Sequence, residues 1–118
     1  MLGIDYIDTF STTCRPETYR MVLIIGLHLN WDFLQYDVKN AFVHAKIDMD
    51  VYVKQPTGFE QGRNKTCKLN KALYGLKQSP RLWYKYFKEA VATAGFTIME
   101  YDEGCFINKE YNVIHFTT

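Results

Sequence analysis

Apolar positions recur at helical spacing in two stretches of the chain. In residues 17–29, a broad apolar face follows Pro16, which stands where a first helical residue is tolerated. In residues 80–94, apolar and polar positions again follow a helical period, with Ser79 as a favoured N-cap and Gly95 as a favoured stop. The pattern therefore predicts two helices, at 17–29 and 80–94.

The apolar side of the second predicted helix contains several aromatic rings. Leu82, Trp83, Tyr86 and Phe87 recur at helical spacing, which leaves Tyr84 outside the stripe. The simplest interpretation is packing of this stripe in a core against a sheet. A cofactor site is not indicated.

Alternating apolar and polar positions predict strands elsewhere in the chain. Residues 51–54 and 66–69 read as two short strands of an antiparallel ribbon, joined through a loop that contains glycine. Residues 31–38 alternate as a third strand, and 104–108 and 112–118 as a hairpin. With the two helices, these strands predict an α+β fold in which an antiparallel sheet is packed by two helices.

Composition describes a folded chain. At 118 residues, with 47% hydrophobic and 16% aromatic residues, we expect a single domain, 1–118, with a real core. The first residues lack the pattern of a signal peptide, and no apolar run reaches the ~20 residues of a membrane span. The three cysteines are far apart and form no metal-ligand pair. We therefore expect a protein of the cytoplasm or nucleus without a membrane partner.

One block of the chain is strongly basic. Residues 61–88 contain eight Lys and Arg and no acidic residue, a charge of +8 in a chain that carries +1. Such a block is either a solvated surface or faces a polyanion. The interleaved Tyr and Trp residues favour a nucleic acid, because flat rings stack on bases while cations neutralise phosphates.

Asp37 is the acidic residue with the most informative position. It comes near the end of a stretch with high strand propensity, and Lys39 and Asn40 follow this stretch at once. A carboxylate there is most commonly a turn former or a cap. It is also the placement of a metal ligand that is held on a rigid strand end. The residues alone leave both interpretations open.

Four stretches of sequence match the motifs of one family, in order and over nearly the whole chain. They are Gly-Ile-Asp-Tyr at 3–6 with Thr9-Phe10, Asp-Val-Lys-Asn-Ala-Phe at 37–42, Val-Tyr-Val-Lys-Gln-Pro at 51–56 with Gly58-Phe59, and Leu-Tyr-Gly-Leu-Lys-Gln-Ser-Pro-Arg-Leu-Trp at 73–83. Together they resemble the reverse transcriptase of copia-type LTR retrotransposons. The last motif is long and peculiar to that family.

The resemblance implies an RNA-directed DNA polymerase with palm, fingers and thumb. This chain would be most of the palm with part of the fingers, without the thumb and RNase H regions. The implied partners are an RNA or DNA template-primer, deoxynucleoside triphosphates and the rest of the polyprotein. The implied cofactors are two Mg²⁺ or Mn²⁺ ions, because charge develops on both the attacking 3′-oxygen and the departing pyrophosphate oxygen.

The resemblance also assigns roles to residues of the first site motif. Asp37 matches the first catalytic aspartate, a ligand of both metal ions, and the carbonyl of Val38 is expected to help hold one of them. Asn40 and Ala41 match backbone N–H donors for the triphosphate. Phe42 matches the aromatic gate under the sugar, where a ring leaves no space for a 2′-hydroxyl group and so selects deoxynucleotides.

The loop before the second predicted helix would line the incoming nucleotide and the template. Tyr74 and Gly75 are expected to contact the nucleotide, with Gly75 allowing the backbone to approach. The expected contacts to template and phosphate are Lys77, Gln78, Ser79, Pro80 and Arg81. Lys77 and Arg81 would neutralise phosphate charge in a salt-dependent manner.

Three interpretations of function follow. In the first, the chain is a fragment of a retrotransposon polymerase that transfers deoxynucleotides to a primer 3′-hydroxyl within a longer protein. In the second, it is a decayed or co-opted copy that binds nucleic acid through the basic surface 61–88 without catalysis. In the third, it is a remnant without function.

We expect the 118-residue polypeptide alone not to polymerise. The family's Tyr-Val-Asp-Asp box, which carries the other catalytic aspartates, follows a strand like 113–118 and is not within this sequence. One carboxylate cannot hold two divalent ions against water. A primer-extension assay with Mg²⁺ or Mn²⁺ on an RNA template should show no incorporation. Incorporation that Asp37→Ala abolishes would contradict this expectation.

Overall fold

The structure is a computed structural model and describes residues 12–118. Motif residues 3–6, 9 and 10 lie outside this range. None of the helices within it is long and apolar enough to cross a bilayer. The elements in chain order are α1 (Pro16–His28), a 3₁₀ helix (Ala41–His44), β1 (Tyr52–Lys54), β2 (Thr66–Lys68), α2 (Ser79–Thr93), β3 (Thr97–Met99), β4 (Asp102–Asn108) and β5 (Val113–Phe116).

The predicted α+β class is confirmed. Both helices begin and end within one residue of their predicted bounds, and the predicted ribbon and hairpin are present as β1–β2 and β4–β5. The strands form two separate antiparallel sheets, one of two strands and one in the order β3-β4-β5, instead of the single sheet that was expected. Strand β3 was not predicted from the sequence.

The expectation that residues 31–38 form a strand is wrong. The segment pairs with no strand among the described residues. Instead, its first residue, Trp31, is bonded to the C-terminal end of α1, because the Trp31 N–H donates to the Gly26 carbonyl at 2.8 Å. The rings of Trp31 and Phe33 lie against Gly26, where a Cβ atom would come within 2.6 Å of the Phe33 ring. Trp31 and Phe33 therefore pack on the preceding helix, whereas Tyr36 stacks on His115 of β5.

The described residues fall into two compact units. One comprises Asn40–Tyr86, and the other comprises residues 12–39 together with Phe87–Thr118. Helix α2 belongs to the first unit up to Tyr86 and to the second from Phe87 onward.

The unit Asn40–Tyr86 is built around a small core. Ala45, Ala72 and Leu82 are buried together, and Phe42 and Ile47 pack against them. The Ala72 N–H donates to the Ala45 carbonyl at 3.0 Å, so the two alanines hold separate chain segments at backbone distance. A larger side chain at either alanine would push these segments apart.

In the other unit, both helices pack on the three-stranded sheet through aromatic rings. Tyr19 of α1 meets Phe116 of β5 edge to face, with ring centroids 4.9 Å apart. Phe87 of α2 meets Phe106 of β4 in the same way at 5.5 Å. Phe106 is fully buried, which makes it the centre of this core.

Asp102, the first residue of β4, is a buried carboxylate that joins this strand to the start of α1. One of its oxygens accepts the Arg15 N–H at the start of α1 at 3.0 Å, and the other accepts the Gly104 N–H at 3.0 Å. The Cys14 thiol and the Thr18 side chain also donate to it. Because Arg15 provides no side-chain cap, Asp102 supplies the acceptor that the N-terminus of α1 lacks.

Gly104 makes this arrangement sterically possible. A Cβ atom at this position would lie 2.1 Å from the backbone nitrogen of Cys14. The backbone of Cys14 therefore crosses β4 in direct contact with it. A residue with any side chain at position 104 would force the chain before α1 away from Asp102.

Asn108, the last residue of β4, connects this end of the strand to neighbouring segments through hydrogen bonds. Its side-chain amide donates to the Ala94 carbonyl after α2 at 2.9 Å. Its side-chain oxygen accepts the N–H groups of Glu110 and Tyr111 at 3.0 and 3.1 Å. The buried side chain of Asn108 thus satisfies the backbone of both a helix end and a hairpin turn.

We predict that Asp102→Asn lowers the free energy of unfolding at pH 7 by about 2–3 kcal/mol, because hydrogen bonds to a charged acceptor contribute more than neutral ones. Burial by itself raises the pKa of Asp102, but the hydrogen bonds from Thr18, Arg15 and Gly104 outweigh it and lower the pKa below its ordinary value. Its stabilising effect is therefore complete above the unfolded-state pKa, about 3.9, and is lost as the pH falls through the lower folded-state pKa.

Urea denaturation from pH 7 to pH 2 tests this prediction. The difference in unfolding free energy between wild type and Asp102→Asn should shrink in the acid range. Glu100→Gln, at an exposed position shortly before β4, serves as a control and should change stability little. Parallel pH profiles for wild type and Asp102→Asn would contradict the assignment.

Candidate functional site

Asp37 and Val38 lie near the end of the extended segment 31–38. Both are exposed, so the Asp37 carboxylate is open to an ion or ligand from solvent. Within residues 12–118, no group of three or more His, Cys, Asp or Glu side chains could hold a metal ion. Asp37 therefore offers an exposed carboxylate, but within the described residues it does not belong to a complete set of metal ligands.

The three residues of the motif that follow lie in the unit Asn40–Tyr86. Asn40 has a φ of 51° and turns the chain into the 3₁₀ helix, where its carbonyl accepts the Val43 N–H at 3.1 Å. Ala41 and Phe42 are the first residues of that helix. Phe42 is half-buried against the core of Ala45, Ala72 and Leu82, so its ring has a fixed position.

The structure brings Phe42 together with Tyr74, which is more than thirty positions away in the sequence. The two rings are stacked, with centroids 6.1 Å apart and planes 28° from parallel. Tyr74 is 93% exposed and has open space around it. Gly75 follows with a φ of +94°, a conformation that other residues rarely adopt. Phe42 and Tyr74, which are both expected to contact the nucleotide, thus lie side by side.

The loop after Tyr74 is held by Ser79. Instead of capping α2, as the sequence suggested, Ser79 is its first residue and is fully buried. Its hydroxyl donates to the Leu73 carbonyl at 2.5 Å, which closes the loop that contains Tyr74 and Gly75. Gln78 is buried beside it, with only 8% of its surface exposed, while Pro80 is half-buried. Of the template contacts expected here, Gln78 and Ser79 are thus the least accessible.

Two cations lie at the start of α2. Lys77 is exposed just before the helix. Arg81, in its first turn, forms an ion pair with Asp48 in which both side chains are partly exposed. The first turn contains no acidic residue, so the positive end of the helix dipole adds to the charge of these two side chains. This end of α2 favours an anion.

The sequence did not indicate a cluster of rings formed by His44, Trp83 and Tyr86. The Trp83 and Tyr86 centroids are 5.7 Å apart, and His44 is stacked on Tyr86 at 6.4 Å. Tyr86 is 42% exposed, whereas Tyr84 is buried. The prediction that Tyr86 lies in the core is therefore wrong, and so is the prediction that Tyr84 lies outside it. The only sequence signal was the mixture of rings and cations in residues 61–88.

The strongly shifted titratable groups belong to the fold of the other unit. Burial, and after it the negative charge of Asp102, raises the pKa of the Cys14 thiol to about 12. Burial also raises the pKa of Cys105 and lowers that of His115. These two thiols stay protonated near neutral pH, so neither is an activated nucleophile.

Comparison with known proteins places the chain in a family. Residues 1–115 match the family model described as reverse transcriptase (RNA-dependent DNA polymerase). The chain belongs to the reverse transcriptase family. No solved structure matches it.

The curated relatives are retrotransposon polyproteins, which confirms the resemblance to the copia type. The chain is 41% identical to the "Retrovirus-related Pol polyprotein from transposon RE1" of Arabidopsis thaliana, over 89% of this chain and 7% of the relative. It is 36% identical to the corresponding protein from transposon TNT 1-94 of Nicotiana tabacum, over 97% of this chain and 9% of the relative. The chain thus spans less than a tenth of these relatives, 7 to 9% of their length.

We predict that Ser79→Ala lowers the free energy of unfolding by about 1–3 kcal/mol, because it removes the buried hydroxyl that donates to the Leu73 carbonyl. Urea denaturation measures the change. Thr93→Ala is the matched control, since its hydroxyl donates to the Ala90 carbonyl at 2.6 Å on the exposed end of the same helix. Equal effects of the two substitutions would contradict the anchoring role of Ser79.

Proposed function

We propose that this chain forms part of the nucleotide and template site of an RNA-directed DNA polymerase that works within a Pol polyprotein. The match to the reverse transcriptase family over residues 1–115 carries this proposal. The reaction would be template-directed transfer of deoxynucleotides to a primer 3′-hydroxyl. The two helices and two sheets would then be most of a palm with part of the fingers.

In this proposal, Asp37 is a ligand of the divalent ions, with the Val38 carbonyl beside it. An exposed carboxylate oxygen is a hard ligand of the kind that Mg²⁺ prefers. When bound, the ions would stabilise charge on the attacking and leaving oxygens. Since the described residues supply a single carboxylate here, further ligands would have to come from elsewhere in the polyprotein.

Phe42 would read the sugar of the incoming nucleotide. Discrimination between a 2′-hydrogen and a 2′-hydroxyl needs a rigid surface, because a ring that can move aside excludes nothing. The packing of Phe42 on Ala45, Ala72 and Leu82 supports this role, as does its stacking with Tyr74. Asn40 and Ala41 would offer backbone N–H groups to the triphosphate, next to the ring.

Phosphates would be met at the start of α2. Lys77 is exposed there, and the guanidinium group of Arg81 has five N–H donors, enough to bind Asp48 and a phosphate oxygen together. Gly75 would let the backbone of the loop approach the nucleotide. Gln78, Ser79 and Pro80 would support the template side, with Ser79 acting through the loop that it anchors.

A second candidate function is nucleic-acid binding without catalysis. The +8 charge of residues 61–88 favours it and does not depend on Asp37. Steep loss of affinity with rising salt would support this candidate. Absence of binding at low salt would exclude it.

A chimeric polymerase tests the proposed function. Residues 1–115 would replace the matching segment of the RE1 polyprotein, and primer extension on an RNA template would be measured. Asp37→Asn should lower the rate at least about 100-fold, the scale of removing one group that stabilises transition-state charge. Phe42→Ala should increase incorporation of ribonucleotides relative to deoxynucleotides.

Asp32→Asn is the matched control, because Asp32 is an exposed aspartate of the same extended segment. It should leave the rate within about twofold, since a surface substitution away from the chemistry has little effect. Equal rates for Asp37→Asn and Asp32→Asn in an active chimera would exclude the catalytic assignment of Asp37. They would favour the binding function.

A further inference from the structure

The ring cluster of His44, Trp83 and Tyr86 is fixed in place yet open to solvent. Trp83 and Tyr86 are three residues apart on α2, so they share one side of the helix. The rings of His44 and Tyr86 are nearly parallel, with planes 16° apart. Trp83 is half-buried, whereas Tyr86 and His44 are exposed. The cluster therefore presents aromatic surface whose position is set by a helix and by mutual packing.

Lysines flank this cluster. Ala45 is buried, which leaves its neighbours His44 and Lys46 on the exposed side of the backbone. Lys46 pairs with Lys71 in an isolated antiparallel bridge, and the Lys71 ammonium group donates to the His44 carbonyl at 3.2 Å. The backbones of Lys46 and Lys71, 25 positions apart in sequence, are thus paired next to His44, and the Lys71 ammonium group lies at the His44 carbonyl.

We propose that the ring cluster and these two lysines form a binding platform for single-stranded nucleic acid. A base would stack on the exposed ring of Tyr86 or His44, and the adjoining phosphates would lie near Lys46 and Lys71. Such stacking requires a base that is not already stacked in a duplex, which selects single strands. The charge decides the class of partner. Lys71 belongs to the block 61–88, which has no acidic residue, and an apolar, uncharged peptide would gain nothing from its charge or from that of Lys46.

This platform is distinct from the residues of the nucleotide site. It uses neither Asp37 nor the loop of Tyr74 and Gly75, and it needs no metal ion. It rests on the proposed function only in taking nucleic acid as its ligand. It would hold a strand whether or not the chain takes part in polymerisation.

Tryptophan fluorescence provides a direct test, because the chain has two tryptophans and only Trp83 belongs to the platform. In the Trp31→Phe variant of the full chain, all tryptophan emission comes from Trp83. Titration with a twelve-residue oligothymidylate should change this emission. In the Trp83→Phe variant, emission from Trp31 should not change.

A second ligand and variants of the chain distinguish the contribution of base stacking to binding from that of charge. An abasic oligomer of the same length and charge should bind at least about fivefold more weakly, as should the Tyr86→Leu variant with oligothymidylate, because stacking one base contributes a factor of this size or more. Lys71→Gln should reduce the slope of log affinity against log salt by about 0.7. Tyr101→Leu, at an exposed tyrosine outside the cluster, is the control and should bind like wild type.

Thermal melts first establish that each variant is folded. Equal affinity for the abasic and the thymidine oligomers would contradict the proposed platform, because charge alone would then account for the binding. Failure to bind oligothymidylate at 50 mM salt would overturn it as well, as would displacement of the oligomer by an apolar, uncharged peptide. Asp37→Asn should leave oligothymidylate binding unchanged. Loss of primer extension by the chimeric polymerase and loss of oligothymidylate binding are therefore distinguishable results.

Discussion

One buried carboxylate stabilises the unit that contains the three-stranded sheet. Asp102 begins β4, accepts the first backbone N–H at the start of α1 and also accepts the Gly104 N–H of its own strand. A charge is tolerated in this position because several donors surround it, in place of water. Helix α1 lacks a capping side chain of its own, so its start depends on a residue that lies 87 positions away.

The unit that contains the nucleotide loop depends on a different constraint, which is the small size of two alanines. Ala45 and Ala72 are joined by a backbone hydrogen bond, and they bring Phe42 and Tyr74 near each other from separate motifs. The family motifs thus meet through residues that belong to neither motif. This explains how a core of few residues can fix the ring proposed to face the sugar.

The aromatic residues of α2 illustrate the limit of periodicity. A helical pattern identifies which residues share a side of the helix, but it does not identify which side is covered. In the structure Tyr84 is buried and Tyr86 is exposed, the reverse of the simplest interpretation. The covering surface is made by segments far away in sequence. It leaves 42% of Tyr86 exposed, which is the surface that the proposed stacking platform uses.

The sequence by itself determined the two helices, the ribbon, the terminal hairpin and the family, because propensity, proline and glycine positions and long motifs act locally. It also marked Asp37, Phe42 and the loop around Gly75 as candidate site residues. Only the tertiary structure decided that Trp31 and Phe33 pack on α1 instead of forming part of a strand, that Ser79 anchors a loop and that Arg81 meets Asp48. Each of these depends on which distant group comes within hydrogen-bonding or packing distance, and no local pattern contains that information.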